Sequence, residues 1–132
     1  SKGTAMTRQQ YSVLIIDDAY TVREYLRQTL MHLGITQVHE ASSGNKGLAT
    51  FTQHQHDLVF LDIELPDING QQLLQQIKSH TDRTHVVMVT AHNSVDNVQQ
   101  SIAAGASGFI AKPFSPLKIK NIVERCLAAK LN

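Results

Sequence analysis

Five short runs of mostly apolar residues recur along the chain, and each is followed by a segment with helical spacing. The runs cover residues 13–16, 37–40, 58–61, 86–89 and 108–111. Three of them are continuously apolar and rich in Val and Ile, which is typical of strands covered on both faces, as in parallel sheets. The run at 37–40 is weaker, because Val38 is its main apolar residue. This alternation predicts one α/β domain with right-handed crossovers.

The segments after the runs place apolar residues three and four positions apart, as on the buried face of a helix. In the first segment Val22, Leu26 and Leu30 share this spacing, and Gly34 marks its end. Gly105 marks the end of the fourth segment in the same way. The second to fifth helices are each predicted to begin at a residue that can cap a helix, namely Ser43, Asn69, Ser94 and Ser115.

Composition and charge restrict the kind of protein. The 132 residues are the size of one ordinary domain, and 42% hydrophobic with 17% charged residues excludes a disordered chain. The formal net charge of +1 gives no field that would recruit nucleic acid or an anionic membrane. The apolar runs are far too short to cross a bilayer, so no membrane insertion is expected. The single cysteine, Cys126, suits a reducing, cytoplasmic location.

Polar residues stand where the predicted strands end, which is where ligands bind in open α/β sheets. The first run ends in Asp17 and Asp18, the third in Asp62, the fourth in Thr90 and the fifth in Lys112. Crowded carboxylates repel one another, and a bound cation relieves the repulsion. Oxygen ligands favour a hard ion such as Mg²⁺ over Zn²⁺.

Such a site has the chemistry for handling a phosphoryl group. The cation and the Lys112 ammonium would neutralise the charge of the group, and the Thr90 hydroxyl would donate a hydrogen bond to it. A carboxylate in the same cage can act as nucleophile and carry the phosphoryl group covalently. Taken singly, each residue has a plainer interpretation. Asp18 would cap the first helix, Thr90 would be an ordinary strand residue, and Lys112 a solvated charge.

From about Tyr11 to its end, the sequence resembles the receiver domain of two-component response regulators, particularly the single-domain chemotaxis (CheY-like) type. The motifs that carry the resemblance stand in order at the predicted strand ends: Asp17-Asp18, Asp62 followed by Leu65-Pro66-Asp67-Ile68-Asn69-Gly70, Val89-Thr90-Ala91, and Gly105-Ala106-Ser107-Gly108-Phe109 leading into Lys112-Pro113-Phe114. The resemblance implies a doubly wound, flavodoxin-like (βα)5 fold. Its five-stranded parallel sheet would have the order 2-1-3-4-5, with helices on both faces.

The resemblance also implies roles for residues of the site. Asp62 would be the phosphoacceptor. The implied ligands of Mg²⁺, which Mn²⁺ can replace, are the carboxylates of Asp18 and Asp62, Asp17 through a water, and the backbone carbonyl of Glu64. The groups expected to contact the phosphoryl oxygens are Thr90, Lys112 and the backbone N–H of Ala91.

Three further expectations concern the switch and its lifetime. Phe109 stands at the aromatic switch position, where the family often has Tyr, and would turn in behind Thr90 after phosphorylation. The bond before Pro113 is usually cis in the family, which would point Lys112 into the site. Glu64 and His92 stand at positions that tune dephosphorylation in the family.

The implied function is a phosphorylation-dependent signalling switch rather than an enzyme. Its only reactions would be Mg²⁺-dependent self-phosphorylation from a phosphodonor and slow self-dephosphorylation. The phosphoryl group would come from a histidine kinase or a histidine phosphotransfer protein. An output protein or domain would read the face formed by the fourth helix, the fifth strand and the fifth helix. No direct binding of nucleic acid is expected.

Domain limits and other function classes stay open at this point. Residues 1–10 are expected to be a remnant of expression cloning and a flexible N-terminus, and residues 11–131 the receiver domain. Its size leaves no room for an ordinary DNA-binding domain, so the chain is either a single-domain protein or a receiver cut from a larger regulator. A phosphatase of the haloacid dehalogenase type would need Asp where Glu64 stands. A flavodoxin-like flavin binder would not place Asp17 and Asp18 in its phosphate loop.

The remaining histidines, glutamines and the cysteine are not assigned a functional role. The seven histidines, His54 and His56 among them, are expected to be solvated, because no further His or Cys stands at zinc-site spacing. The pairs Gln71-Gln72 and Gln75-Gln76 are expected on solvated helix faces. Cys126 is interpreted as a packed small hydrophobic residue.

Overall fold

The structure is a computed structural model that describes residues 6–92 and 94–129. Strands and helices alternate through this part of the chain. They are β1 (Ser12–Ile16), α1 (Tyr20–His32), β2 (Gln37–Ala41), α2 (Gly44–His54), β3 (Leu58–Asp62), α3 (Gly70–His80), β4 (His85–Thr90), α4 (Val95–Ala103), β5 (Gly108–Ala111) and α5 (Pro116–Ala128). The strands form one parallel sheet in the order β2-β1-β3-β4-β5. The predicted fold class and strand order are confirmed.

Successive strand residues point to opposite faces of the sheet, and each face carries its own apolar core. On one face, Val13 and Ile15 pack with residues of α1 and α5 such as Leu30 and Val123. On the other face, Leu14 packs with residues of α2 and α3. Both faces of the central strands are therefore buried, as the continuous apolar runs predicted.

Helix α4 is the least embedded of the five helices in the described part of the chain. It contacts α3 and β5, and its buried residue is Ser101. Val95 and Ile102, on the same helix, are 69% and 53% exposed. Little apolar area therefore anchors α4 to the body of the domain.

The predicted caps are confirmed. The side chains of Ser43, Asn69, Ser94 and Ser115 each accept a hydrogen bond from a backbone N–H in the first turn of the following helix. Helix α1 differs, because its N-cap is Ala19 and no side chain caps it. Asp18 is therefore not a helix cap, and this plainer interpretation of the residue is wrong.

The solvated interpretation is wrong for two histidines and one glutamine. His56 is 1% exposed, His85 is 8% exposed, and Gln71 is 5% exposed. Both ring nitrogens of His85 are hydrogen bonded, to the Ser107 hydroxyl and to the Ala129 carbonyl, at 2.6 Å each. A buried polar side chain is tolerated when such partners replace water, and the partners lie far away in sequence.

At the N-terminus, Arg8 donates a hydrogen bond to the Leu33 carbonyl (2.9 Å) and pairs with Glu124 (3.3 Å). Residues 1–5, 93 and 130–132, which include much of the expected cloning remnant, lie outside the described residues. The boundary at residue 11 stays a prediction. Among the described residues, no helix combines the length and apolar character needed to span a membrane.

Candidate functional site

The residues singled out at strand ends meet at one edge of the sheet. Asp17 and Asp18 follow β1, Asp62 is the last residue of β3, and Thr90 is the last residue of β4. Lys112 comes directly after β5. Because all five strands run parallel, these carboxyl ends lie side by side.

The three carboxylates form a tight acidic cluster. Asp17, Asp18 and Asp62 each offer one oxygen, and these oxygens all lie within 4.8 Å of one another. Asp17 is 2% exposed and Asp62 is 5% exposed, while Asp18 is open to solvent. The cluster is thus buried at its base and reachable from one side, and it could hold a divalent metal ion through oxygen ligands alone.

Lys112 neutralises part of this cluster. Its Nζ lies 2.8 Å from Asp17 Oδ2 and 3.4 Å from Asp62 Oδ2. Burial alone would lower the pKa of Lys112, but its contacts with Asp17 and Asp62 raise that pKa above its ordinary value. The Lys112 backbone N–H donates to the Thr90 carbonyl at 2.8 Å, and the peptide bond before Pro113 is cis. The contacts with the two carboxylates therefore favour the charged form of the ammonium group and hold it at the acidic cluster.

The environment of Asp62 acts on its pKa in two opposite directions. Burial, and then the neighbouring charge of Asp17, raise the pKa of Asp62. The Glu64 backbone N–H, which donates to Asp62 Oδ1 at 3.1 Å, and Lys112 act in the opposite direction. One ammonium group does not fully compensate two buried carboxylates. A cation at this position would complete the compensation, so the donor set fits a hard divalent ion.

The loop after β3 is held close behind Asp62. The Gly70 N–H donates to the Ile63 carbonyl at 2.7 Å. A Cβ at Gly70 would overlap the Asp62 carbonyl oxygen and lie 2.5 Å from Ile63 Cα. Only glycine therefore allows α3 to begin so near the backbone of the acidic site.

Asp67 ties the same loop to α2, a role that the sequence reasoning missed. Its two carboxylate oxygens accept hydrogen bonds from the Gly44 and Asn45 N–H groups, at 2.8 Å each. These two bonds lower the pKa of Asp67. The sequence shows an acidic residue after Pro66 and the start of a helix about twenty residues earlier. Their spacing alone does not predict that the two are in contact.

Thr90 is fully buried, and its Oγ1 accepts a hydrogen bond from the His92 N–H at 3.1 Å. The hydroxyl proton of Thr90 is left to be donated elsewhere. Ala91, the next residue, is exposed at the end of β4. A hydroxyl and a backbone N–H thus follow one another at this strand end.

Glu64 and His92, predicted separately as lifetime-tuning residues, contact each other. His92 Nδ1 lies 2.8 Å from Glu64 Oε2, and the side chains are 64% and 54% exposed respectively. This contact joins the β3–α3 loop to the β4–α4 loop on the solvent side of the site.

A second connection runs from the same loop to α3 and α4. Asn97 Nδ2 donates to the His92 carbonyl (2.9 Å), and Ser101 Oγ donates to the Asn97 carbonyl (2.8 Å). Gln71 Nε2 donates to Ser101 Oγ at 2.9 Å. The buried Gln71 therefore links the start of α3 to the buried serine of α4.

Phe109 lies on β5, in register with Met88 of β4, and is half-buried against the core that contains α2 and α3. It flanks a surface cavity of about 350 Å³ that is also lined by Lys118, Ile122 and Arg125 of α5. The ring thus stands between the core and a surface cavity formed by β5 and α5.

Comparison with known proteins gives consistent matches. The sequence profile of the response regulator receiver domain matches residues 13–124. The chain is 34% identical over 121 residues to the probable C4-dicarboxylate response regulator DctR of Priestia megaterium, covering 91% of this chain and 53% of that protein. It is 31% identical over 117 residues to the chemotaxis protein CheY of Bacillus subtilis, covering 89% and 98%.

Structural comparison agrees with these matches. A chain in the crystal structure of the CheX-CheY-BeF3-Mg²⁺ complex from Borrelia burgdorferi superposes with a TM-score of 0.84 at 27% identity, covering 88% of each chain. By length, the chain spans about half of the Priestia regulator and nearly all of the Bacillus chemotaxis protein.

Proposed function

This chain belongs to the response regulator receiver domain family, whose members are phosphorylation-dependent switches of two-component signalling, and on that premise we propose that Asp62 is its phosphoacceptor. Family membership decides against the haloacid dehalogenase and flavin-binding alternatives. The observation that carries the proposal is the position of Asp62, buried at a strand end between a second carboxylate and the Lys112 ammonium.

The donor is a phosphohistidine of a histidine kinase or of a histidine phosphotransfer protein. An Asp62 carboxylate oxygen attacks the phosphorus atom, the P–N bond to the donor histidine breaks, and the nitrogen keeps the electron pair. Lys112, the Thr90 hydroxyl and the Ala91 N–H receive the three phosphoryl oxygens. Each donates a hydrogen bond or a charge to the group that Asp62 now carries.

Mg²⁺, for which Mn²⁺ can substitute, is the ion best matched to this oxygen-rich donor set. Asp18 and Asp62 would hold it through their carboxylates, Asp17 through water, and Glu64 through its backbone carbonyl. When bound, the ion supplies positive charge that offsets the carboxylates and the arriving phosphoryl group.

Phosphorylation is read out at the surface formed by α4, β5 and α5. Thr90 moves toward the phosphoryl group, and Phe109 turns into the space behind it. The surface carries exposed apolar side chains that a partner can cover, among them Val95, Ile102 and Leu117. An output protein or domain binds this surface. The proposal places the protein in the cytoplasm, where the unpaired thiol of Cys126 stays reduced.

The chain turns over no separate substrate in this proposal. It phosphorylates itself from a small phosphodonor in the presence of Mg²⁺, and the resulting acyl phosphate is hydrolysed slowly in the same site.

The test is intact-mass measurement after incubation with acetyl phosphate and Mg²⁺. The parent should gain one phosphoryl group, and chelation of the metal should prevent the gain. Asp62→Asn should gain none, whereas Asp82→Asn, an exposed aspartate before β4, should behave as the parent. Equal uptake by Asp62→Asn and the parent would show that the phosphoacceptor lies elsewhere.

A further inference from the structure

Three histidine rings, from β2, the end of α2 and the segment before β3, meet away from the residues assigned to the acidic cluster. His39 lies on the edge strand β2, His54 is the last residue of α2, and His56 precedes β3. The ring centroids are 4.4 Å apart for His39 and His54, 5.0 Å for His39 and His56, and 5.6 Å for His54 and His56. The sequence spacing hid this cluster, because His39 is brought in by the pairing of β2 with β1 and by the packing of α2.

One of the three rings is buried and the other two are exposed, an arrangement in which an ion can enter from solvent. His56 is 1% exposed and its ring is stacked against Phe51, with centroids 6.2 Å apart. His39 and His54 are exposed. The buried ring is thus fixed in position, whereas the two exposed rings can rotate and are open to an ion arriving from solvent.

The nitrogens of two rings already face each other. His39 Nδ1 lies 2.8 Å from His56 Nε2. A hydrogen bond between two such nitrogens uses one proton and one lone pair. A cation placed between the same nitrogens would use both lone pairs.

We propose that His39, His54 and His56 form a binding site for a divalent transition-metal ion of the zinc, nickel and copper class. Metal–nitrogen bonds of about 2.0–2.1 Å place each imidazole centroid roughly 3.2 Å from the ion, and tetrahedral angles then separate the centroids by roughly 5 Å. The three observed separations bracket that distance. The ring spacing therefore already fits one ion between three imidazoles.

Rotation of the exposed rings completes the site. Among the described residues, only the acidic cluster already has three ligand atoms gathered within 4.8 Å, so the histidine nitrogens are not all turned to one point. His39 and His54 can turn about their side-chain bonds, since both residues are exposed. The fourth position of a tetrahedral ion is then filled by water.

Burial keeps the ring of His56 in its neutral form. Burial, followed by the charges of His39 and His54, lowers the pKa of His56 to about 4. His56 is therefore neutral at pH 7, and the neutral imidazole is the form that binds metals. Imidazole also selects against Mg²⁺, so the two clusters of the domain would take different ions.

The test is isothermal titration of the tag-free full chain with Ni²⁺ or Zn²⁺, in buffer that holds excess Mg²⁺ for the acidic cluster. The parent should bind one ion per chain at micromolar concentrations. His39→Gln and His54→Gln should each weaken the binding by at least about tenfold. His32→Gln, which removes an exposed histidine at the end of α1, should bind as the parent does.

A second measurement covers the buried ring, because replacing it would also change its packing against Phe51. The ring-nitrogen NMR signals of His56 in the unmodified chain should shift when the ion is added. The site is excluded if the parent binds no ion, if either His39→Gln or His54→Gln binds as tightly as the parent, or if the His56 signals stay unchanged at saturation.

Discussion

The ammonium group of Lys112 lies closer to Asp17 (2.8 Å) than to Asp62 (3.4 Å), although Asp62 is the proposed phosphoacceptor. In the unphosphorylated domain, Lys112 thus serves mainly as the partner of the more deeply buried carboxylate. In the proposed switch, Lys112 therefore exchanges a carboxylate partner for a phosphoryl oxygen, rather than gaining its first charged partner.

Lys112→Ala should uncouple phosphorylation from the output surface. The variant should fold and take up a phosphoryl group, but the NMR signals of α4 and β5 should shift much less than in the parent. Without Mg²⁺ the variant should also be less stable by about 1–3 kcal/mol, because two buried carboxylates lose their ammonium partner. Chemical unfolding with and without Mg²⁺ measures this, and Mg²⁺ should restore more stability to the variant than to the parent.

Lys78→Ala is the matched control for that experiment. Lys78 is also partly buried, but its Nζ donates to the Thr84 carbonyl (2.9 Å) rather than to the acidic cluster. Its replacement should leave both the Mg²⁺ effect and the phosphorylation response as in the parent. A full surface response in Lys112→Ala would contradict the proposed role.

Glu64→Ala and His92→Ala should each change the decay rate of the phosphorylated domain several-fold, with nearly unchanged Mg²⁺ affinity. The two side chains are in contact at the solvent side of the site, where water must approach in line with the Asp62–phosphorus bond. Because they contact each other, the double variant should differ from the product of the single effects. Loss of phosphate after donor removal gives the rates. Decay equal to the parent in all three variants would show that access is controlled elsewhere.

Gly70→Ala should damage the acidic site more than it damages the fold. The added Cβ overlaps backbone atoms of Asp62 and Ile63, which cannot rotate away, so the β3–α3 loop must shift. We expect a loss of stability of about 1–3 kcal/mol together with slower phosphoryl uptake and weaker Mg²⁺ binding.

Gly108→Ala provides the comparison for the glycine experiment. Gly108 is the first residue of β5, away from the carboxyl ends of the strands where the acidic site lies. An added Cβ there would lie 2.5 Å from the Ile122 side chain. It should lower stability while uptake of phosphate stays normal. If Gly70→Ala is phosphorylated at the parent rate, the close packing behind Asp62 is not required for the reaction.

Stability should fall as the pH is lowered from about 6.5 to about 4, through His56. The folded chain holds the pKa of this ring at about 4, whereas in the unfolded chain it returns to its usual value near 6.5. Between these values the unfolded state binds the extra proton, so acid favours unfolding by up to about 1.4 kcal/mol per pH unit. Urea unfolding at several pH values measures the slope. His56→Phe should flatten it in this window, and an unchanged slope would assign the effect to other groups.

The fold and the acidic site were predictable because their signals are local. Continuous apolar runs mark strands buried on both faces, and in a parallel sheet the residue after each run must lie at the same edge. The sequence pattern alone therefore predicts that Asp17, Asp62, Thr90 and Lys112 lie together.

The buried polar contacts were not predictable, because their partners come from distant elements. The sequence around Gln71 predicts a solvated side chain, but the residue is buried, and its amide donates to Ser101 Oγ and to the Asn97 carbonyl of α4. The contact of His56 with His39 was equally hard to predict, because His39 lies on the edge strand β2, whose sequence has few apolar residues. Periodicity reports which side chains avoid water, but not which polar groups find one another.

The light anchoring of α4 has a consequence for how such a domain diversifies. Its buried side chain is a serine held by one glutamine amide, an interaction whose net contribution is on the order of 1 kcal/mol. We therefore expect small changes in the tilt of α4 to cost the domain little stability. If partners bind the α4 surface as proposed, substitutions at the exposed Val95 or Ile102 should alter partner preference without disturbing the remaining domain, and new signalling connections could arise while the proposed chemistry at Asp62 is kept.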